Sequence, residues 1–296
     1  MQPTVKVLAG PTASGKSALA IAWAQAFDAE IINADSQAVY RHFDIGTAKP
    51  TPAELARVPH HLVSCIEPNQ EFSAAHFARA ADEVIAGIRA RGKQVIVVGG
   101  TGLYLRALLH GLVEAPPRNE SVRAELEARA ETLGNANLWA ELNASDPETA
   151  AKLPVGDRVR IVRALELLRT TGQKPSDLRA RHAFAGARYS FDLRVLNPAR
   201  ESLYAAINRR TQAMFDAGLV DEARALIEQG FGDSAPMKAV GYEEARRVLS
   251  GEWSSEHAVE QVAMRTRHYA KRQWTWFRKE PGAVFVEPPF NVETLF

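Results

Sequence analysis

The segment Gly10-Pro11-Thr12-Ala13-Ser14-Gly15-Lys16-Ser17, GPTASGKS, narrows the folds open to this chain more than any other stretch. It fits the pattern G-x-x-x-x-G-K-[ST], in which a glycine-rich loop joins a strand to a helix and its backbone N–H groups converge on phosphate oxygens. The context fits on both sides. TVKVLA before it reads as a short buried strand, and residues 16–27 read as the following helix. The helix start adds partial positive charge. Lys16 supplies a point charge, and Ser17 a hydroxyl able to ligate a magnesium ion carried by the phosphates. The bland alternative is an ordinary glycine-rich strand-to-helix turn.

Such a loop calls for a parallel α/β sheet, and the rest of the chain offers one. AEIINADS reads as a second strand, HLVSCI as a third, and KQVIVVGG as the clearest buried strand. Residues 73–91 and TGLYLRALLHG read as helices, and residues 37–60, with three prolines, as mostly loop. After EAPPRNE, with Pro116-Pro117 at the entrance, the character changes. Residues 119–182 carry no strand signal and read as several helices, Gly172 and Pro175 breaking the last. RYSFDLRVL returns to strand alternation. Helices are expected at about 200–217, 219–229, 238–250 and 254–279, then a strand at AVFVE. The predicted fold class is α/β: a P-loop-type parallel sheet core flanked by helices, residues 1–115 and 185–296, with an all-helical insert domain at residues 116–184.

With 46% apolar and 24% charged residues in 296, the composition is that of a soluble globular protein. Dedicated nucleic-acid binders are often strongly basic; at a net charge of +1, an RNA partner would need locally clustered charge. The single cysteine, Cys65, excludes an internal disulfide and fits a reducing compartment. In HLVSCI it reads as a small core residue. MQPTVKV lacks the pattern of a signal peptide, and no apolar run approaches the roughly 18 residues of a membrane helix. The expectation is a cytoplasmic monomer with no membrane partner.

The phosphate chemistry is constrained by what is missing. An NTPase usually adds an Asp at the end of an apolar strand to hold magnesium. Here VIVV ends in Gly99-Gly100-Thr101-Gly102, with no acid. That turn offers flexible backbone and one hydroxyl at a helix start, either a second contact for the anion or a tight packing turn. The acid is Asp35, after EIINA at the end of the neighbouring strand. A parallel sheet puts it at the ligand-binding edge. With an ordinary pKa of about 3.9 it is ionised at neutral pH and can accept a proton. An Asx turn or helix cap is the alternative.

Two basic stretches stand out. EQVAMRTRHYAKRQWTWFRKE carries Arg265, Arg267, Lys271, Arg272, Arg278 and Lys279, with aromatic residues between them. Basic side chains neutralise phosphates and aromatics stack on bases, although an amphipathic surface helix needs nothing more. The insert carries Arg158, Arg160, Arg163 and Arg169 in GDRVRIVRALELLRTTG. The His60-His61 pair lacks further ligands at metal spacing and reads as structural.

Taken together, GPTASGKS, IINADSQAVYRHFDIGTAKP, PHHLV, VVGGTGLYLRALLHGL, RVRIVRALE, AVGY and YAKRQWTWFR, from residue 10 to residue 278, resemble the tRNA dimethylallyltransferases, bacterial type. The resemblance implies transfer of a dimethylallyl group from dimethylallyl diphosphate to N6 of the adenosine 3′-adjacent to the anticodon of tRNA. It implies Gly10 to Ser17 and Arg210 as the diphosphate site, with Mg2+ at Ser17. Asp35 matches the general base, and Thr101 a residue near both substrates. Asp35, Ser36, Gln37 and Ala38 correspond to contacts with the target nucleotide, and Arg123 and Val159, Arg160, Ile161, Val162 and Arg163 to tRNA contacts. Lys271, Arg272 and Arg278 join the RNA set. Two departures are visible: Gln212 stands where the family often has Asp, and the acid often found near Ser64 is absent. No C-terminal zinc finger follows. The competing readings are a P-loop nucleotide kinase or NTPase binding ATP, and a non-catalytic RNA-binding protein.

Overall fold

A computed structural model describes residues 4–112, 116, 118–182 and 186–296. Residues 115, 117, 184 and 185, at which the sequence places the domain entrance and boundaries, lie outside them. By contacts the chain divides into two units, one made of Met1–His110 and Ala187–Phe296 and the other of Gly111–Gly186.

The first unit is built on β1 (Val5–Ala9), β2 (Ala29–Asn33), β3 (His60–His61), β4 (Gln94–Gly99), β5 (Phe191–Leu196) and β6 (Ala283–Val286). They form one sheet in the order β3-β2-β4-β1-β5-β6, and every pair in it is parallel. The apolar runs VKVLA and VIVV form central strands because both faces are covered: Val5, Val7, Leu8, Ile96 and Val97 are all inaccessible. The helices are α1 (Lys16–Ala26), α2 (Pro52–Arg57), α3 (Ala74–Ala90) and α4 (Gly102–His110). In the second unit they are α5 (Glu120–Leu133), α6 (Asn135–Ser145), α7 (Pro147–Ala150), α8 (Arg158–Thr171) and α9 (Pro175–His182). The first unit resumes with α10 (Arg200–Asp216), α11 (Leu219–Glu228), α12 (Tyr242–Leu249) and α13 (Ser255–Phe277). The fold is α/β and P-loop-type, with a helical second unit that holds no strand among its described residues. That unit has its own core, centred on Leu126, Leu138, Leu142, Ile161, Val162 and Leu165. Among the described residues no helix is long and apolar enough to cross a membrane.

Several local expectations change. Of HLVSCI only His61 is in a strand, β3: Leu62 and Ser64 take positive φ of 59° and 47°, which breaks the run after it. Ile66 makes only an isolated bridge with Tyr40. Within the expected loop, Thr51 opens α2 through a capping box with Glu54. The helix expected at 238–250 is a 3₁₀ turn, Ala235–Lys238, and α12, separated by residues 239–241. Gly172 ends α8 and Pro175 opens α9, so these residues mark the junction between one helix and the next. Cys65 is partly exposed at the rim of a core cluster. Finally, β4 lies between β1 and β2, so Asp35 is two strands away from the phosphate loop.

Candidate active site

The phosphate loop leaves the buried end of β1 and closes onto α1. Gly15 caps α1 at φ 86°, and no side chain caps that helix start. The first backbone N–H groups of a helix have no intrahelical partner, so the start of α1 presents them to the site. Within the loop Ser14 N–H donates to the Pro11 carbonyl at 3.2 Å, as does Lys16 Nζ, also at 3.2 Å. Burial pushes the Lys16 ammonium down to about 8; Asp35 acts against that shift and Arg210 adds to it. Arg210, on α10, donates to Thr12 Oγ1 at 2.6 Å. Its pKa is lowered by burial and partly restored by Asp35.

Asp35 follows β2. Asn33 holds its backbone, accepting the Asp35 N–H at 3.2 Å and donating to the Leu62 carbonyl at 2.9 Å. One carboxylate oxygen, Oδ1, accepts the Gln37 N–H at 2.8 Å. The Asx turn weighed as the alternative is therefore present, and it fixes the carboxylate while leaving Oδ2 for other work. Thr101, at the end of β4, accepts the Ser36 N–H at 3.0 Å, and its own N–H donates to the Ala34 carbonyl at 3.2 Å. Thr12, Lys16, Ser17, Asp35, Arg210 and the backbone of Gly99 line one cavity of about 90 Å³. A half-buried ammonium and guanidinium facing one carboxylate, beside open helix N–H groups, suit an anionic ligand whose reaction releases a proton.

The IPP transferase family model matches residues 38–280. The tRNA dimethylallyltransferase of Myxococcus xanthus is 58% identical over 290 residues, 98% of this chain and 94% of that protein. A tRNA dimethylallyltransferase of Geotalea uraniireducens is 47% identical over 98% and 94% of the two chains. The tRNA isopentenylpyrophosphate transferase of Bacillus halodurans superimposes with a TM-score of 0.71 at 36% identity, over 97% of this chain and 90% of that one. A eukaryotic dimethylallyltransferase solved acting on tRNA gives a TM-score of 0.82 at 28% identity, covering 97% and 74%. The chain belongs to the tRNA dimethylallyltransferase family.

The other residues expected of a tRNA dimethylallyltransferase fall into three groups. Ser36, Gln37 and Ala38 sit beside Asp35; Ala38 is buried in the cavity wall, and Gln37 Oε1 is buried with no hydrogen-bond partner. In the second unit Val159 is 65% exposed, and Arg160 is exposed with Asp157 beside it. Ile161 and Val162 are fully buried in that unit's core. Within that segment the helix thus turns Val159 and Arg160 outward and Ile161 and Val162 inward. Arg123 and Arg163 both face the buried Glu166, at 3.6 and 2.7 Å. On α13, Lys271 and Arg272 are exposed, as is Arg278 at its end, whereas Arg265 pairs with Glu244 and Arg267 donates to Asn208. Lys271 and Arg278 line a second, open cavity of about 360 Å³ with Arg200, Tyr204 and Trp274.

Some contributors escape sequence reading. Lys49 is buried and donates to the Tyr40 carbonyl and to Asp44. Glu222 accepts the N–H groups of Asp44, Ile45 and Gly46. The DIGTAKP block therefore owes its shape to internal bonds. His61 Nε2 donates to the carboxylate of Glu30, which also accepts from Arg91. Among the described residues no group of three His, Cys, Asp or Glu side chains could hold a metal. Gln273, 5% exposed, bonds both the phosphate loop and the Gly100 carbonyl. Only its place in KRQWTWFR hints at it, because nothing in a sequence shows that an amide is buried between two loops.

Proposed function

We propose that this protein transfers a dimethylallyl group from dimethylallyl diphosphate to N6 of the adenosine 3′-adjacent to the anticodon of tRNA. The observation that carries the reading is one cavity in which the phosphate loop, Lys16 and Arg210 face the Asp35 carboxylate. Membership of the family supports it.

The reaction breaks the bond between allylic C1 and the diphosphate oxygen and forms one between C1 and N6. The electron pair leaves with the diphosphate, and one N6 proton must be removed. Positive charge spreads over the allyl carbons while negative charge gathers on the leaving group. Lys16, Arg210 and the loop N–H groups stabilise that negative charge as it develops. Asp35 Oδ2 takes the N6 proton, and the amide of Gln37 keeps the carboxylate aimed. The adenine amino group is a weak nucleophile because its lone pair is delocalised into the ring, so orientation by Asp35 and Thr101 contributes as much as basicity. Ser17, exposed on the first turn of α1, would hold a magnesium ion through its hydroxyl. When bound, that ion offsets charge on the leaving diphosphate.

The target base leaves its stack to reach this cavity. Arg160, Lys271, Arg272 and Arg278 are the exposed cations that meet the RNA backbone of the anticodon stem-loop. The protein works as a cytoplasmic monomer. The test is direct: protein, magnesium, dimethylallyl diphosphate and unmodified tRNA, followed by nucleoside analysis. One dimethylallyl unit on that adenosine is expected. Turnover of ATP with unmodified tRNA recovered would replace this reading by an NTPase.

A further inference from the structure

Gln273, on α13, reaches both loops at the sheet edge. Its Oε1 accepts the Thr12 N–H at 2.8 Å, and its Nε2 donates to the Gly100 carbonyl at 2.9 Å. A side-chain amide offers an acceptor and a donor side by side. A carboxylate would lose the second bond, and an apolar residue both. The fit is tight: a Cβ on Gly100 would lie 2.1 Å from Gln273 Nε2. Tyr269, one turn earlier on the same helix face, places its hydroxyl beside Thr101 and Gln273. Thr101 in turn holds Ser36, beside Asp35. Two adjacent turns of one helix therefore tie the donor's cradle to the loops that carry Asp35 and Thr101.

We infer that Gln273, with Tyr269, is a positioning residue that sets the distance between the diphosphate cradle and the proton-accepting side of the site. The inference rests on the prenyl-transfer reading above. Neither side chain supplies charge to the leaving group. What they fix is alignment of C1 with N6, where a misplacement of about 1 Å costs on the order of 100-fold in rate.

The experiment measures single-turnover prenylation, donor KM and tRNA affinity for wild type, Gln273→Met and Tyr269→Phe, each normalised to folded protein. Methionine keeps the volume and removes both bonds. Gln273→Met is expected to slow the chemical step on the order of 100-fold, and Tyr269→Phe about tenfold, with donor KM and tRNA affinity within about threefold of wild type. A merely structural role would lower the folded fraction or raise KM and leave the rate per folded enzyme unchanged, and that result overturns the inference. If Gln273→Met does not fold, Tyr269→Phe, which loses one hydroxyl, decides alone: an unchanged rate overturns it. Wild-type protein that prenylates nothing fails the functional reading itself, and is told apart from an active wild type with unaffected variants.

Discussion

The arginines of the helical unit and the cations of the phosphate site are treated in opposite ways. Arg169 bonds Glu141 and Glu125, and those bonds raise its pKa. Arg123 and Arg163 share Glu166. Lys16 and Arg210 have their pKa values lowered by burial, with one carboxylate, Asp35, set against two positive charges. In the helical unit Arg123, Arg163 and Arg169 are thus balanced by carboxylates, whereas Arg160 keeps an exposed guanidinium beside Asp157. The cavity at the phosphate loop sets two cations against the single carboxylate of Asp35, an arrangement that costs stability where no anion balances it.

The largest effect that would break this contrast is at Asp35. Asp35→Ala should slow prenyl transfer by about 10²–10⁴-fold, the usual range for a general base, while tRNA binding in a filter assay stays near wild type. Normal transfer by that variant would remove Asp35 from the role. Next is the helical unit's buried acid. Glu166→Leu removes the buried carboxylate that Arg123, Arg163 and the Asn119 N–H share. It should destabilise the protein by about 3 kcal/mol in a denaturant melt, the low end for a broken buried pair because both arginines reach solvent. A smaller loss would mean that Arg123 and Arg163 are held chiefly by something else.

Lys16 gives a pH signature of moderate size. Its pKa in the free protein lies near 8, below the ordinary value of 10.5, and a bound anion must raise it. Binding of inorganic pyrophosphate without magnesium should thus be strongest below pH 8 and weaken as the pH climbs and the ammonium is lost. Lys16→Ala should bind more weakly at pH 7, and the gap between the two proteins should close by about pH 10. A gap constant with pH would show that the lysine acts by shape. The smallest effect belongs to the helical unit's surface. Arg169→Ala, partly exposed between two carboxylates, should cost about 0–1 kcal/mol in the same melt. A cost like that of Glu166→Leu would erase the distinction between buried and surface pairs.

What a sequence shows in advance follows the range of the interactions. GPTASGKS, VKVLA and VIVV declare themselves because their information is local: a loop pattern, a fixed glycine, a run of branched residues. The same local logic misleads at HLVSCI, where apolar composition suggests a strand and positive φ at Leu62 and Ser64 ends it after His61. At Thr51 the local signal exists, a capping box with Glu54, but the helix it opens has only six residues and buries none of them, so no apolar periodicity announces it. Within RVRIV the motif names five positions, yet helical periodicity turns Ile161 and Val162 inward. The partners of Lys49, Glu222 and Gln273 include groups remote in the chain or in backbone carbonyls, and no residue pattern encodes them.

The reach of Gln273 also orders events in time. Its bond to the phosphate loop spans 261 positions in the chain. At about 5–20 residues per second, roughly 10–50 s separate the synthesis of the loop from that of the amide that fixes it. A nascent chain that has finished β1, α1 and β4 thus has a phosphate loop without its clamp. The tie between the phosphate loop and the Gly100 turn is thus completed only after α13 has been synthesised.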